Sequence, residues 1–434
     1  MISPTRIAMI AVTMTTSLAV AQSRQIPGTA SKSPILLTNT TVHPVTSPPL
    51  VNGWIAFEDG RITLMGSGDP PSIDGANVID LDGHHVYPGL VAADSILGLI
   101  ETGQVDVTHD HDEQGSYTPE AKVVVAINPD SDLIPVTRNA GILTALVRPD
   151  GGRLPGQAAV IRLDGWDWED LAINPSSALI IEWPSVERRS FGRRGGGSGG
   201  GGSSAEKQIA EIDDYFTEAE AYLAACDADA TLPPDSRYEA MRGALAGTMP
   251  VIIKASTVGQ IGTAVAWARQ RGLDPVILGG EEADEVATLL VREDVPVIVR
   301  GVHRYPAARH RDPSEPHSLP ARLRDKGVQF CIAPRDRPAH LRNLPHHAAT
   351  AVANGLTPEE GLAAITIDAA TIIGVGDQLG SLELGKSATI IVTTGDPLQV
   401  RSEVKHAWID GRPIDLSTRQ TQLRDKYRQK YAGS

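Results

Sequence analysis

The chain has 434 residues, 41% of them hydrophobic and only 4% aromatic, and a formal charge of -14 at pH 7. The length exceeds one ordinary domain and suits a large barrel with a smaller unit, and the apolar share supports a sizeable core of Ala, Val, Ile and Leu. The acidic balance excludes a nucleic-acid partner, whose phosphates need Lys and Arg, and fits a protein with a small-molecule ligand.

The first residues read as an export signal. Arg6 supplies a short basic start, Ile7 to Val20 is mostly apolar, and Ala19-Val20-Ala21 is a small-x-small cleavage site that would leave Gln22 first. The apolar run is too short to span a bilayer, and no Cys follows the cleavage site, so neither a membrane nor a lipid anchor is expected. The protein is expected to be exported, periplasmic or secreted. Residues 22–33 are polar and loose.

From Ile35 to Val86 the pattern is short strands separated by turns. Trp54–Phe57 and Arg61–Met65 flank Glu58-Asp59-Gly60, a hairpin signal. The middle of the chain alternates short continuous apolar runs with helical segments. Strands are expected at 86–92, 142–148, 158–163, 178–183, 250–254, 275–278, 296–300 and 328–333, and helices at 205–226, 258–271, 281–293, 318–326, 341–354 and 358–366. Runs of this kind suit strands covered on both faces, in a parallel sheet. Alternation of this length predicts an α/β fold, a (β/α)8 TIM-like barrel. Residues 192–204 form a Gly-rich insert, read as a flexible surface loop or a mobile lid. Near the C-terminus Ala388–Val392 and Val404–Ile409, the latter closed by Asp410-Gly411, return to strand character.

The predicted division is a signal peptide at 1–21, the first part of a β-sandwich at 22–85, the barrel at 86–379, the second part of the sandwich at 380–416 and a C-terminal helix at 417–434. Cys226 and Cys331 are allowed to pair by an oxidising compartment, but two buried thiols acting as small apolar residues is the favoured reading. A homo-oligomer is left open.

Two stretches carry a resemblance. Tyr87-Pro88-Gly89-Leu90-Val91-Ala92-Ala93-Asp94-Ser95-Ile96-Leu97-Gly98 resembles the first-strand signature of the amidohydrolase superfamily, where Pro-Gly-Leu-Ile-Asp precedes His-x-His. The run from Gly355-Leu356-Thr357-Pro358 through Gly380-Ser381-Leu382 to Asp410-Gly411-Arg412 is similar to the branch of imidazolonepropionase. These residues have local work: Thr357 caps a helix with Glu360 at the capping-box position, Pro358 suits its first turn, and Gly374 suits a helix stop. The resemblance implies hydrolysis of a non-peptide C–N bond in a small molecule by a divalent metal, zinc or another, bound at the C-terminal rim of the barrel.

The ligands that the resemblance implies are not where it would put them. Asp94 and Ile96 stand in place of the two histidines, Lys254 where Val-His-Ala is expected, Gly279 where His-Gly is expected, and Asp336, next to Arg335, where the last-strand Asp belongs. Lys254, Asp94 and Asp336 are the candidate catalytic residues, and Arg148, Glu182, His303 and Arg335 the candidate substrate-binding residues. All fall at or just after strand ends. A Lys254–Asp94 salt bridge is expected to replace the metal's charge. His109 and His111, a true His-x-His in an acidic loop, are weak metal candidates against the plainer reading of a solvated loop. Gly151–Gln157 is a Gly-rich rim loop without the ending of a phosphate loop. Three functions follow: a degenerate amidohydrolase, a catalytically inactive small-molecule-binding or scaffold pseudoenzyme, and a metal-independent enzyme that uses Lys254.

Overall fold

The computed structural model describes residues 25–185, 201–306, 311–335 and 337–432. The signal-peptide segment, most of the Gly-rich insert and Asp336 lie outside them. The helix that follows the insert begins at Gly201, earlier than the 205 expected from sequence.

The N-terminal strands are β1 (Ile35–Val42), β2 (Leu50–Glu58), β3 (Arg61–Ser67), β4 (Asn77–Asp80) and β5 (His85–Pro88). β2 and β3 form the expected hairpin, and both turn residues, Asp59 (φ 47°) and Gly60 (φ 79°), adopt the left-handed conformation of a two-residue turn. β5 pairs with β1 on one side and on the other with β14 (Ile390–Thr393), from the far end of the chain. β15 (Val404–Ile409) and β16 (Arg412–Pro413) extend the sheet beyond β14. One small β unit is therefore assembled from both ends of the sequence, around Leu37, Ile55, Phe57, Val86, Ile390 and Trp408.

The barrel strands are β6 (Leu90–Ala92), β7 (Ile142–Val147), β8 (Gly156–Arg162), β9 (Ala172–Glu182), β10 (Val251–Ala255), β11 (Pro275–Gly279), β12 (Val297–Arg300) and β13 (Phe330–Ala333), hydrogen-bonded in that order. Two expectations need correction. The run 86–92 is not one strand. It changes sheets at Gly89, whose N–H still donates to Thr389 of the sandwich while the Leu90 N–H donates to Gly141 of the barrel. A Cβ at Gly89 would lie 2.8 Å from Leu143 Cδ1, so this crossing needs glycine. The sheet is also not wholly parallel, because β8 runs antiparallel to both β7 and β9. Short apolar runs look the same in either direction, so the sequence did not show this.

β6 and β13 are bridged by backbone. The Ile332 N–H donates to the Ala364 carbonyl at 3.0 Å and the Val91 N–H to the Ile365 carbonyl at 2.8 Å, so the barrel is closed through residues 364 and 365. The interior is layered with Val91, Leu146, Val160, Ile180, Ile252, Leu278, Ile298 and Cys331, and the helix Ile367–Ile372 floors it with Ala369, Ala370 and Ile372. Outside, the helix Val258–Gln270 illustrates the covering layer. A Thr257–Gln260 capping box starts it, and Ile261, Ala264, Val265 and Ala268 form the buried face at helical spacing. Cys226 and Cys331 are both free.

Candidate barrel-mouth site

Side chains alternate along a strand, so a residue two beyond an inward apolar residue also points inward. In this barrel that rule sets the top layer of the interior. Arg148 follows Leu146, Glu182 follows Ile180, Lys254 follows Ile252 and Arg300 follows Ile298, each at the same spacing. Asp94, just beyond β6, and Asp150, just beyond Arg148, complete the group.

These six side chains form one connected ion-pair network. Asp94 Oδ1 accepts a hydrogen bond from Arg148 Nε at 2.5 Å, and Asp94 Oδ2 lies 2.8 Å from Arg300 Nε. Arg148 Nη1 lies 3.5 Å from Asp150 Oδ1. Lys254 Nζ lies 3.5 Å from the same Asp150 oxygen and 2.9 Å from Glu182 Oε2. Asp94 and Arg148 are almost fully enclosed, at 3% and 1% exposure, whereas Lys254 and Arg300 keep 26% and 22% and Glu182 and Asp150 a third each. Burial alone would raise the Asp94 carboxyl, but Arg148 and Arg300 outweigh it and hold Asp94 below its ordinary value. Asp150 follows the same balance, with Arg148 and Lys254 winning over burial. Deeper in, burial, with Asp368 and Asp94 adding to it, pushes the Cys331 thiol well up, which makes it an inert core residue.

The network corrects the expected partner of Lys254. It pairs with Glu182 and Asp150, and Asp94 is taken instead by two guanidinium groups. Arg300 and Asp150 were not singled out in the sequence, although the two-residue spacing from Ile298 and from Arg148 was there to be read. His303 meets other partners: its Nε2 is 2.7 Å from Thr350 Oγ1 and its ring stacks on His347 at 4.1 Å. Arg335 is half-exposed and donates to Glu281 at 2.7 Å. His109 and His111 do not converge on one point. Their rings meet edge to face at 5.6 Å, and His109 Nε2 lies against the Thr102 carbonyl. Their loop does reach the rim, where the Asp150 N–H donates to the His111 carbonyl at 2.7 Å.

The divalent metal implied by the resemblance does not fit this donor set. Every carboxylate of the network already faces a cation, and no imidazole belongs to it. Gly279 adds a steric argument. Its φ is 115°, and a Cβ there would meet Ser256 Oγ at 2.7 Å and the Ala255 carbonyl oxygen at 2.9 Å, so the position where a histidine is expected cannot hold one without moving its neighbours. Among the described residues no group of three or more His, Cys, Asp or Glu is placed to hold a metal ion.

The fold matches an amidohydrolase from Thermotoga maritima MSB8 with a TM-score of 0.76 and 25% identity, over 88% of this chain and 99% of that one. Residues 342–415 match the profile of the amidohydrolase family. A stretch of 100 residues is 35% identical to imidazolonepropionase from Pseudomonas putida (strain GB-1). This chain belongs to the amidohydrolase superfamily, in its imidazolonepropionase-related branch. Amidohydrolase tasK of Hapsidospora irregularis is 23% identical over 398 residues, 83% of this chain. The aligned stretches span 39% of tasK and 21% of the imidazolonepropionase, less than half of either relative. The amidohydrolase scaffold is thus shared over most of the chain.

Proposed function

We propose that this amidohydrolase-superfamily chain binds a small polar molecule at the barrel mouth and has lost the metal-dependent hydrolysis of C–N bonds implied by its family. The observation that carries this reading is the connected set Asp94, Arg148, Arg300, Asp150, Lys254 and Glu182, which fills the rim with charges paired to one another. A divalent ion there would have to displace two guanidinium groups and an ammonium from the carboxylates it needs. Metal-free catalysis by Lys254 is less well supported, because two carboxylates engage its ammonium and none presents it as a free amine. Export belongs to the same proposal and rests on residues 6–21. N-terminal sequencing of protein recovered from outside the cytoplasm is expected to begin at Gln22.

The test is metal analysis together with ligand screening. Protein expressed in zinc- and manganese-supplemented medium is expected to carry far less than one equivalent of divalent metal per chain. Small polar metabolites are expected to raise its melting temperature without being turned over. One tightly bound ion per chain, with hydrolysis abolished by a chelator, would overturn the proposal.

A further inference from the structure

The charges at the mouth balance as a set but are divided unevenly. On one side Asp94 is shared by two guanidinium groups, Arg148 and Arg300, so that lobe carries one positive charge in excess. On the other side the single ammonium of Lys254 lies between Glu182 and Asp150, and with Asp150, which bridges to Arg148 at the same 3.5 Å, counted there, that side carries one negative charge in excess. The contacts at Asp150, 3.5 Å to Arg148 and 3.5 Å to Lys254, are the loosest in the network.

Arg300 is the incompletely used donor. Its Nε lies 2.8 Å from Asp94 Oδ2 without the angle of a hydrogen bond, and its two terminal nitrogens make no hydrogen bond among the described residues. Arg148, by contrast, spends Nε on Asp94 and Nη1 on the Pro149 carbonyl and is closed off from solvent. A guanidinium fork that is part-buried, part-open and short of acceptors suits a planar or tetrahedral oxyanion, which it can hold through two parallel hydrogen bonds.

The geometry points to Arg300 as the residue that recognises an oxyanion, carboxylate or phosphate, on a small dipolar ligand whose ammonium or N–H end faces Asp150 and Glu182. This inference rests on the mouth being a ligand site. The positive lobe accounts for the anion, and the negative lobe favours a donor at the other end of the same molecule. Neither lobe by itself attracts a simple ion strongly, because the other lies within the same mouth and opposes it.

Calorimetry on the full-length mature protein tests this with ω-amino acids of two to six carbons, the matching acids without the amine, the matching amines without the acid, and inorganic phosphate. An ω-amino acid is expected to bind at least tenfold more tightly than its acid-only and amine-only counterparts. Arg300→Lys keeps the charge but loses the fork, and it is expected to weaken that binding about tenfold. Asp150→Asn is expected to weaken the dipolar probe while leaving the acid-only probe within twofold. Melting temperatures of both variants separate lost binding from lost folding. Tighter binding of phosphate than of every carboxylate would assign the anion as a phosphate. Amine-only probes that bind as well as the dipolar ones, Arg300→Lys within twofold of the parent, or no binding by any probe would overturn the inference. The last three results leave the metal-free reading of the mouth standing, whereas a stoichiometric divalent ion would remove that reading itself.

Discussion

The return segment from Thr357 to Arg412 and the mouth from Asp94 to Arg300 belong to one chain, yet they answer to different demands. In the return segment each distinctive residue does a local structural job. Thr357 and Glu360 close a capping box around the helix Pro358–Ala363, and Gly374 at φ 78° and Gly380 at φ 89° stand where a side chain would be strained. Their work lies in the fold and does not depend on what the protein does. Residues at the mouth answer to a different demand, the burial of charge, and the set found here meets it by pairing cations with acids. The scaffold therefore identifies the family, while the rim decides the activity.

That contrast can be broken or sharpened by measurement. The largest effect is expected at the mouth. Asp94→Ala strips a nearly enclosed carboxylate from two guanidinium groups and leaves Arg148 buried with a poor partner, so chemical denaturation should show a loss of about 3–5 kcal/mol. A loss below about 1 kcal/mol would mean that the network is not structural.

Asp94 also sets a pH window. Its folded-state pKa lies below the ordinary 3.8, so its stabilising contribution is complete above 3.8 and is lost as the pH falls through the folded value. Acid titration should show the parent protein losing stability in that window more steeply than Asp94→Asn.

At the barrel floor the sign reverses. Burial pushes Asp368 up to about 6 from 3.8, so its contribution is fully present below 3.8 and is lost as the pH rises through about 6. Asp368→Asn should then stabilise the protein at pH 8 by about 2 kcal/mol, and the gain should vanish below pH 4.

Smaller effects belong to the return segment and the surface. Thr357→Ala removes the cap of the helix Pro358–Ala363 and should cost about 1 kcal/mol in thermal melts. Lys405→Met breaks an exposed ion pair with Glu403 and should leave the melting temperature unchanged. Equal costs for Thr357→Ala and Asp94→Ala would erase the distinction drawn between the two regions.

Much of the scaffold was legible. The eight barrel strands were visible as apolar runs bounded by turn residues, because burial on both faces leaves little room for polar residues. The direction of β8 was not legible, since direction is set by the connections and not by the composition of a strand. At the rim, Asp94, Arg148, Glu182 and Lys254 were readable from their positions at strand ends. Arg300, the last residue of β12, was legible in the same way from its spacing to Ile298, whereas His303, three residues further along, stacks on His347. The partners within the network were not readable. Which acid meets which cation depends on the order of strands around the barrel and on the side-chain lengths that bridge them.

Closure of the barrel through Ala364 and Ile365 has a consequence for biosynthesis. The first and last strands of the ring have no partner at the seam until a segment more than two hundred and fifty residues downstream of β6 has left the ribosome. The N-terminal sandwich strands wait even longer, because β5 acquires β14 only later still. Neither half of the molecule can be completed before its downstream segment is available, so a nascent chain stalled before residue 364 exposes an open sheet edge that invites association with other chains.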